Sequence, residues 1–240
     1  MPILVQKVSL DAAEAVRGCV VVIDVLRAFT TAAVAFHAGA KRIVPVLSVP
    51  EAFAIRERDP GVVLMGEENW LPVPGFDYGN SPSALDGVDL AGRTVVQRTT
   101  AGTRGLVLAA GGDPVFAGSF SVVSATVRAI RAAGVDSVTC VISGSIHGVG
   151  SDEDAALADY LEAALLGGEV SSAPYLDRVR NSAAAKVFRD PRRAEFCPPD
   201  VDCAVAIDRF DFAMQLARGE DDQMSALVRL NAIPSPEDFR

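Results

Sequence analysis

Short runs of β-branched residues alternate along this chain with alanine-rich stretches that end in glycine. Val20–Val25 (VVVIDV) predicts a buried strand, and Thr30–Ala38, followed by Gly39, predicts a helix. Strands that alternate with helices at this spacing indicate an α/β fold, with a mostly parallel sheet and helices on both faces. The other predicted strands are Ile43–Leu47, Val62–Met65, Thr94–Gln97, Val115–Ala117 and Ser137–Ile142. The other predicted helices are Pro50–Arg58, Gly102–Ala110, Val122–Ala133 and Asp152–Leu166.

The pattern changes toward the C-terminus. Pro174–Arg189 predicts a helix, and Phe212–Arg218 with Met224–Asn231 predicts a hairpin. A chain of 240 residues suits one large α/β domain. We therefore expect a single domain over residues 1–240, with a C-terminal hairpin region from about residue 205.

Charge and histidine content exclude several classes of protein. The formal net charge of −9 argues against binding to nucleic acid or to an anionic membrane. His37 and His147 are the only histidines, too few for multi-histidine zinc sites and unsupported as part of a Ser-His-Asp triad. The chain begins without a basic segment leading into an apolar one, and no window has about 20 uninterrupted apolar residues, so we expect a cytoplasmic protein. Cys19 and Cys140 lie in apolar runs and are predicted to be reduced core residues.

Polar residues gather where the predicted strands end, which is where open α/β sheets bind ligands. Asp24 follows the first strand, Glu67 and Glu68 follow the third, and Glu153 and Asp154 begin a helix. The remaining polar and glycine positions of this kind are Arg27, Thr30, Thr31, Thr99, Thr100, Gly102, Thr103, Ser143 and Gly144. Carboxylates at an open site suit Mg²⁺, and a bound cation would let an acidic protein hold an anion.

Ordinary structural roles compete with these assignments. Asp24 alone could be a helix cap, and the Thr99–Thr103 turn could be simple N-capping. Ser151 with Asp154 resembles a capping box, and Asn80-Ser81-Pro82 is typical of a turn that begins a helix.

The sequence lacks the motifs of several known classes of phosphate-binding protein and phosphatase. The chain has no G-x-x-x-x-G-K-[ST] loop, and Leu26 stands where a D-x-D phosphatase would need its second acid. Ile146 stands where a cysteine phosphatase built on Cys140 would need arginine. Several carboxylates and several anion-binding turns remain at one edge of the sheet.

These blocks together resemble the ComB family of Mg²⁺-dependent 2-phosphosulfolactate phosphatases. The blocks are VVIDVLRAFTTAAVAF-x-x-GA, then GE, GFDYGNSP, TT-x-GT, and SG with a downstream ED. The resemblance implies an α/β fold with a mixed sheet between helical layers. It also implies removal of phosphate from a small acid that carries phosphate, carboxylate and sulfonate, on the route to coenzyme M or free sulfolactate. The positions it points to are Asp24, Arg27, Thr30, Thr31, Glu67, Asp77, Gly79, Asn80, Ser81, Thr99, Thr100, Gly102, Thr103, Glu153 and Asp154.

The roles we assign follow from the polar residues at the strand ends and from the resemblance to the ComB family. Mg²⁺ is expected at Asp24, Glu67, Glu153 and Asp154, and catalysis is assigned to Asp24, Arg27, Glu68 and Asp154. The small anionic substrate is expected at Arg27, Thr30, Thr31, Asn80, Ser81, Thr99, Thr100, Gly102, Thr103, Ser143 and Gly144. The nucleophile is either Asp24, through an aspartyl-phosphate, or water held at the metal with Glu68 or Asp154 as base; we favour water.

Four positions depart from the family pattern and keep alternatives open. Ala101 replaces an expected asparagine, Ile142 an expected cysteine, and Val122 or Val123 another asparagine, while Ala158-Asp159 stands where Ala-Gly is usual. The alternatives are a phosphatase for a different small organophosphate and a non-catalytic anion-binding protein. Self-association as a homodimer is also left open.

Overall fold

A ten-stranded mixed sheet organises the computed structural model, which describes residues 3–143, 151–219 and 224–231. The strands are β1 (Leu4–Ser9), β2 (Cys19–Ile23), β3 (Arg42–Val46), β4 (Val63–Glu68), β5 (Leu71–Pro72), β6 (Thr94–Arg98), β7 (Val115–Gly118), β8 (Ser137–Ile142), β9 (Phe212–Ala217) and β10 (Ala226–Asn231). The helices are α1 (Ala28–His37), α2 (Val49–Arg58), α3 (Gly102–Leu108), α4 (Val123–Ala132), α5 (Asp152–Leu166), α6 (Ala173–Asn181), α7 (Ala183–Phe188) and α8 (Pro199–Ala204). The predicted α/β class is confirmed.

The sheet consists of two parallel blocks joined by a hairpin. Its order is β1-β8-β2-β7-β9-β10-β3-β6-β4-β5. The first four strands are mutually parallel, as are β3, β6 and β4. The β9–β10 hairpin is antiparallel to β7 on one side and to β3 on the other. The predicted C-terminal hairpin therefore forms, and it occupies the centre of the sheet.

Alternating side chains of strand β2 enter two different cores. Val20 and Val22 face the core covered by α1 and α3, whereas Cys19, Val21 and Ile23 face the core covered by α4 and α5. A parallel strand buried on both faces is apolar throughout, as this one is. Cys19 is buried and free, as is Cys140 in β8, in agreement with the predicted reduced core cysteines. A third core packs α2 against β3, β4 and β6.

Two glycines of α3 bring the ends of the two blocks together. The three antiparallel pairings between β7 and β3 make the blocks run in opposite directions along the sheet. Helix α3 follows β6 and packs against β2. A Cβ added at Gly105 would lie 2.6 Å from Val22 Cγ1, and one at Gly102 would lie 2.8 Å from Asp24 Oδ2. Only glycine allows so close a contact, which places the turn after β6 directly against the end of β2.

Two differences from the predicted elements concern β1 and the segment predicted as one helix over Pro174–Arg189. Strand β1 was not predicted, because its sequence LVQKVS is mostly exposed at the edge of the sheet. The single helix predicted over Pro174–Arg189 is two helices, α6 and α7. Ser182 separates them with an extended backbone (ψ 158°), and its side chain accepts the Ala185 N–H at 3.0 Å to begin α7.

In the part of the chain that the structure describes, no helix is both long enough and apolar enough to span a membrane.

Candidate active site

Asp24 is held at the point where β2 gives way to α1. Its Oδ1 accepts the Ala28 N–H at 2.9 Å, so Asp24 does cap the first turn of the helix. The side chain is also buried, and the Gly102 N–H donates to it. Burial raises the pKa of Asp24 to about 6 against the opposing effect of these N–H donors, and the charge of Glu67 raises it further. The helix-cap role therefore accounts for one oxygen of a carboxylate that also lies among other acids.

Glu153 and Asp154 begin α5 and face the same region. Asp154 Oδ1 accepts the Val25 N–H at 2.7 Å, one residue after Asp24. Within the described residues, Ser151 makes no side-chain cap bond to α5, so the capping-box alternative for Asp154 is wrong. Glu153 bonds to Ser182, and its Oε2 is buried with no partner among the described residues.

The acids at this position repel one another. Burial raises the pKa of Glu153 to about 7 and raises that of Asp154 well above its ordinary range. The charge of Asp24 contributes to both shifts, so the three carboxylates sense one another. Such a group of buried acids favours either retained protons or a bound cation.

Glu67 ties two loops together. Its Oε1 accepts the Thr100 N–H at 2.6 Å, and its Oε2 accepts the Thr100 hydroxyl at 2.9 Å and the Trp70 N–H at 2.6 Å. Glu68 points the other way; its half-exposed carboxylate lies 3.1 Å from Arg98 Nη2. The structure thus brings Glu67 close enough for its charge to act on Asp24, whereas Glu68 is paired with Arg98.

The turn from Thr99 to Thr103 is occupied by contacts within the protein. The Thr99 hydroxyl accepts the Thr103 N–H at 3.0 Å, and the Thr103 hydroxyl accepts the Thr99 N–H at 2.8 Å. With the Thr100 N–H on Glu67 and the Gly102 N–H on Asp24, four N–H groups of this turn have acceptors. The turn therefore positions the two carboxylates, and its binding of a substrate anion stays a prediction.

Arg27 lies in a buried aromatic enclosure. Its Nη1 donates to Asp200 Oδ2 at 3.1 Å, and its guanidinium carbon lies 4.7 Å from the centre of the Phe188 ring. Its Nη2 lies 3.5 Å from the Trp70 carbonyl oxygen. Sequence reasoning missed Asp200, because an acid in the first turn of a short helix is a common dipole-compensating feature.

The remaining predicted substrate residues include some near Asp200 and some near the end of β2. Ser81 donates its hydroxyl to Asp200 Oδ1 at 2.7 Å, and Thr30 donates its hydroxyl to the Val25 carbonyl at 2.8 Å. Among the predicted substrate residues, three have a buried polar atom with no partner among the described residues, namely Thr31 Oγ1, Asn80 Oδ1 and Ser143 Oγ. Gly144 and His147 lie outside the described residues. The two free hydroxyls are donors suited to an anionic ligand.

The positions that depart from the family pattern are mostly apolar contacts. Ala101 and Val122 are buried, and Ile142 packs against the core shared by α4 and α5. Asp159 lies on α5 away from the acid group, 2.6 Å from Lys7 Nζ and 2.5 Å from Arg178 Nη1. That network lowers the pKa of Asp159 through hydrogen bonds from Lys7 and Arg178, which outweigh its burial.

Comparison with known proteins shows which family this sequence matches. The family model described as 2-phosphosulpholactate phosphatase matches residues 5–196, which include Asp24, Glu67, Glu153 and Asp154. The chain belongs to the 2-phosphosulpholactate phosphatase family. The family's enzymes are phosphoric monoester hydrolases, so the resemblance inferred from the sequence is confirmed.

Individual relatives span most of the chain. A protein of Bacillus subtilis (strain 168) named "Probable 2-phosphosulfolactate phosphatase" is 31% identical over 211 residues, covering 88% of this chain and 91% of the relative. A protein of the same name from Thermoplasma acidophilum is 34% identical over 182 residues, or 74% of this chain and 79% of the relative. Another from Carboxydothermus hydrogenoformans reaches 47% identity over a shorter match of 100 residues, which is 42% of this chain and 41% of that protein.

Proposed function

We propose that this protein is a Mg²⁺-dependent phosphatase that hydrolyses 2-phosphosulfolactate to sulfolactate and phosphate. The observation that carries the proposal is the meeting of three buried carboxylates, those of Asp24, Glu153 and Asp154, at the end of β2. Family membership supplies the substrate class. A cytoplasmic location and a homodimer remain predictions of the sequence.

The donor set fits a divalent cation. Among residues 3–143, 151–219 and 224–231, no three His, Cys, Asp or Glu side chains are arranged so that they could hold a metal ion. Mg²⁺, however, is usually held by only one or two carboxylates, with water and substrate oxygens completing its shell. The free Oε2 of Glu153 and the neighbouring Asp24 are the oxygens we assign to the ion, and Glu67 and Asp154 lie beside them. When bound, the ion would neutralise charge on the phosphoryl group.

The reaction we propose is in-line attack by water. The water oxygen bonds to phosphorus as the water gives a proton to a carboxylate base, the ester P–O bond breaks, and the released alkoxide takes a proton from solvent to become the hydroxyl of sulfolactate. Asp154 suits the role of base better than Glu68, because Asp154 lies in the buried acid group and Glu68 is half exposed and paired with Arg98. Thr31 and Ser143 would donate to substrate oxygens.

Phosphate release from a panel of phospho-acids tests the function. The panel is 2-phosphosulfolactate, 3-phosphoglycerate, phosphoenolpyruvate and glycerol 2-phosphate, each with Mg²⁺ and with a chelator. We expect 2-phosphosulfolactate to be hydrolysed with a kcat/KM at least ~100-fold above glycerol 2-phosphate, which lacks both acid groups. Turnover of another member in preference would identify a different organophosphate substrate, and turnover unaffected by the chelator would remove the metal from the proposal.

The acid group also predicts how stability depends on pH without metal. A carboxyl whose pKa is raised by folding keeps its proton after the unfolded chain has lost it. Its stabilising effect is therefore complete below pH 4 and is lost as the pH rises through the folded value, about 6 for Asp24 and about 7 for Glu153. For Asp24 alone the loss is on the order of 3 kcal/mol. The Tm of chelator-treated protein should fall by ~5 to 10 °C between pH 4.5 and pH 7.5.

Two further measurements check the cause of that fall. Glu153→Gln should flatten the profile, because the amide does not titrate. Mg²⁺ should raise the Tm more at pH 7.5 than at pH 5, because the ion binds ionised carboxylates. A Tm that is the same across this range in both proteins would contradict the proposed electrostatics.

A further inference from the structure

A buried ion pair joins the start of α1 to α8. The Arg27 and Asp200 side chains, 6% and 0% exposed, have Nη1 and Oδ2 3.1 Å apart. The Arg27 guanidinium lies against the rings of Phe188 and Phe196, at 4.7 and 5.8 Å from their centres. The position of this guanidinium is thus fixed over one face by aromatic contact and along one edge by a carboxylate.

Asp200 has more bonds than the ion pair alone requires. Its Oδ1 accepts the Ser81 hydroxyl at 2.7 Å, the Ser83 hydroxyl at 2.6 Å and the Ser83 N–H at 3.1 Å. One carboxylate therefore holds both Arg27 and the turn that follows Asn80, which are distant from it in sequence. Residue 200 lies beyond the end of the family match at residue 196, so the comparisons assign it no role.

Stability alone does not explain such a pair. A buried ion pair has a desolvation cost that commonly cancels its attraction, and apolar replacements are often as stable. Arginine binds phosphate, carboxylate or sulfonate best when two of its N–H groups are aligned in advance. The bonds to Asp200 and Trp70 use two of the five N–H donors of Arg27, which leaves up to three for another acceptor.

We propose that Asp200 is the positioning residue that orients Arg27, together with the Ser81–Ser83 turn, to receive an acidic group of the substrate. The inference rests on the proposed function in that the group received belongs to a small phospho-acid. Asp200 itself is fully enclosed and acts only through Arg27 and the turn.

Asp200→Asn tests the inference, with Asp202→Asn as its control. Asp202 lies on the same helix, but its side chain is 80% exposed and 3.9 Å from Arg189. Asp200→Asn should raise the KM for 2-phosphosulfolactate at least ~30-fold while kcat changes less than ~5-fold, because binding is lost more than chemistry. Asp202→Asn should leave both within twofold. Identical kinetics in the two variants would overturn the proposal.

A double-mutant cycle separates positioning from a general structural effect. Arg27→Ala should lower kcat/KM about 100-fold, and adding Asp200→Asn to it should cost less than a further threefold. The two substitutions would then act through one interaction. Effects that multiply in full would show that Asp200 acts independently of Arg27 and would overturn the inference.

Binding of inorganic phosphate, measured by calorimetry with Mg²⁺ present, tests the inference apart from turnover. Asp200→Asn should weaken the Kd at least tenfold, and the milder Ser83→Ala, which keeps the ion pair, about fivefold. If the wild type hydrolyses nothing in the panel but these shifts occur, the proposed function fails and the positioning role stands. If the wild type binds no phosphate, or Ser83→Ala and every folded Asp200 variant bind it unchanged, the positioning role fails.

Discussion

Asp24→Asn is expected to lower kcat by at least ~10³-fold, equivalent to about 4 kcal/mol of transition-state stabilisation. Asparagine has nearly the same shape, and its amide oxygen can still accept the Ala28 N–H, so the turn into α1 should persist. What is lost is a negative charge that acts on both Glu153 and Asp154. Both proposed routes need that charge, either to hold the cation or to attack phosphorus. Phosphate release at saturating substrate and Mg²⁺ measures the effect.

The same variant has a second signature that distinguishes a lost reaction from a lost fold. Removing a carboxylate whose pKa is raised by burial should raise the Tm of the metal-free protein at pH 7.5. Asp86→Asn, at an exposed position, should alter neither activity nor Tm appreciably. Activity within tenfold of the wild type would contradict the role of Asp24. A hydroxylamine-sensitive phosphoenzyme at Asp24 in the wild type would instead favour the aspartyl-phosphate route over water.

Local sequence patterns found most elements and could not find how the strands are ordered. Strand β2 is a continuous apolar run, and helix α5 begins with three acids and ends at Gly167, so both were predicted closely. The β9–β10 hairpin was predicted as a unit, but its place between β7 and β3 depends on pairings with strands about 100 and 180 residues away. Strand β1 has the weak apolar pattern of an edge and gave no such signal.

The candidate site shows the same division. Asp24, Glu67, Glu153 and Asp154 could be predicted because each follows a strand or begins a helix, positions at which α/β folds place ligands. The expectation that they share one edge of the sheet is wrong, because the blocks that contain β2 and β4 run in opposite directions. The partners of Arg27 could not, because the ion pair spans 173 positions and Asp200 lies in a segment without periodic pattern. Nor does the sequence reveal that the N–H groups of the Thr99–Thr103 turn already have acceptors, since that depends on how closely α3 packs against β2.

Gly66 explains how Glu67 and the Thr99–Thr103 turn come to lie side by side. Gly66 pairs with Arg98 in the parallel β4–β6 ladder, one residue before Glu67 and Thr99 respectively. Its φ of +143° is a conformation that side-chain-bearing residues rarely adopt. A Cβ there would lie 1.8 Å from the Arg98 carbonyl oxygen, a backbone atom that cannot move without breaking the ladder. The close approach that places Glu67 on Thr100 thus depends on this glycine.

Gly66→Ala is therefore expected to lower the free energy of unfolding by more than ~4 kcal/mol, or to prevent accumulation of folded protein. Gly79→Ala is the matched control, because a Cβ at Gly79 has no heavy atom within 4 Å. It should change the free energy of unfolding by less than ~0.5 kcal/mol. Urea unfolding followed by circular dichroism, with soluble yield recorded for both variants, measures the difference. A Gly66→Ala protein as stable as Gly79→Ala would mean that β4 and β6 can separate at Arg98 without loss of the fold, and Glu67 would then need another means of reaching Thr100.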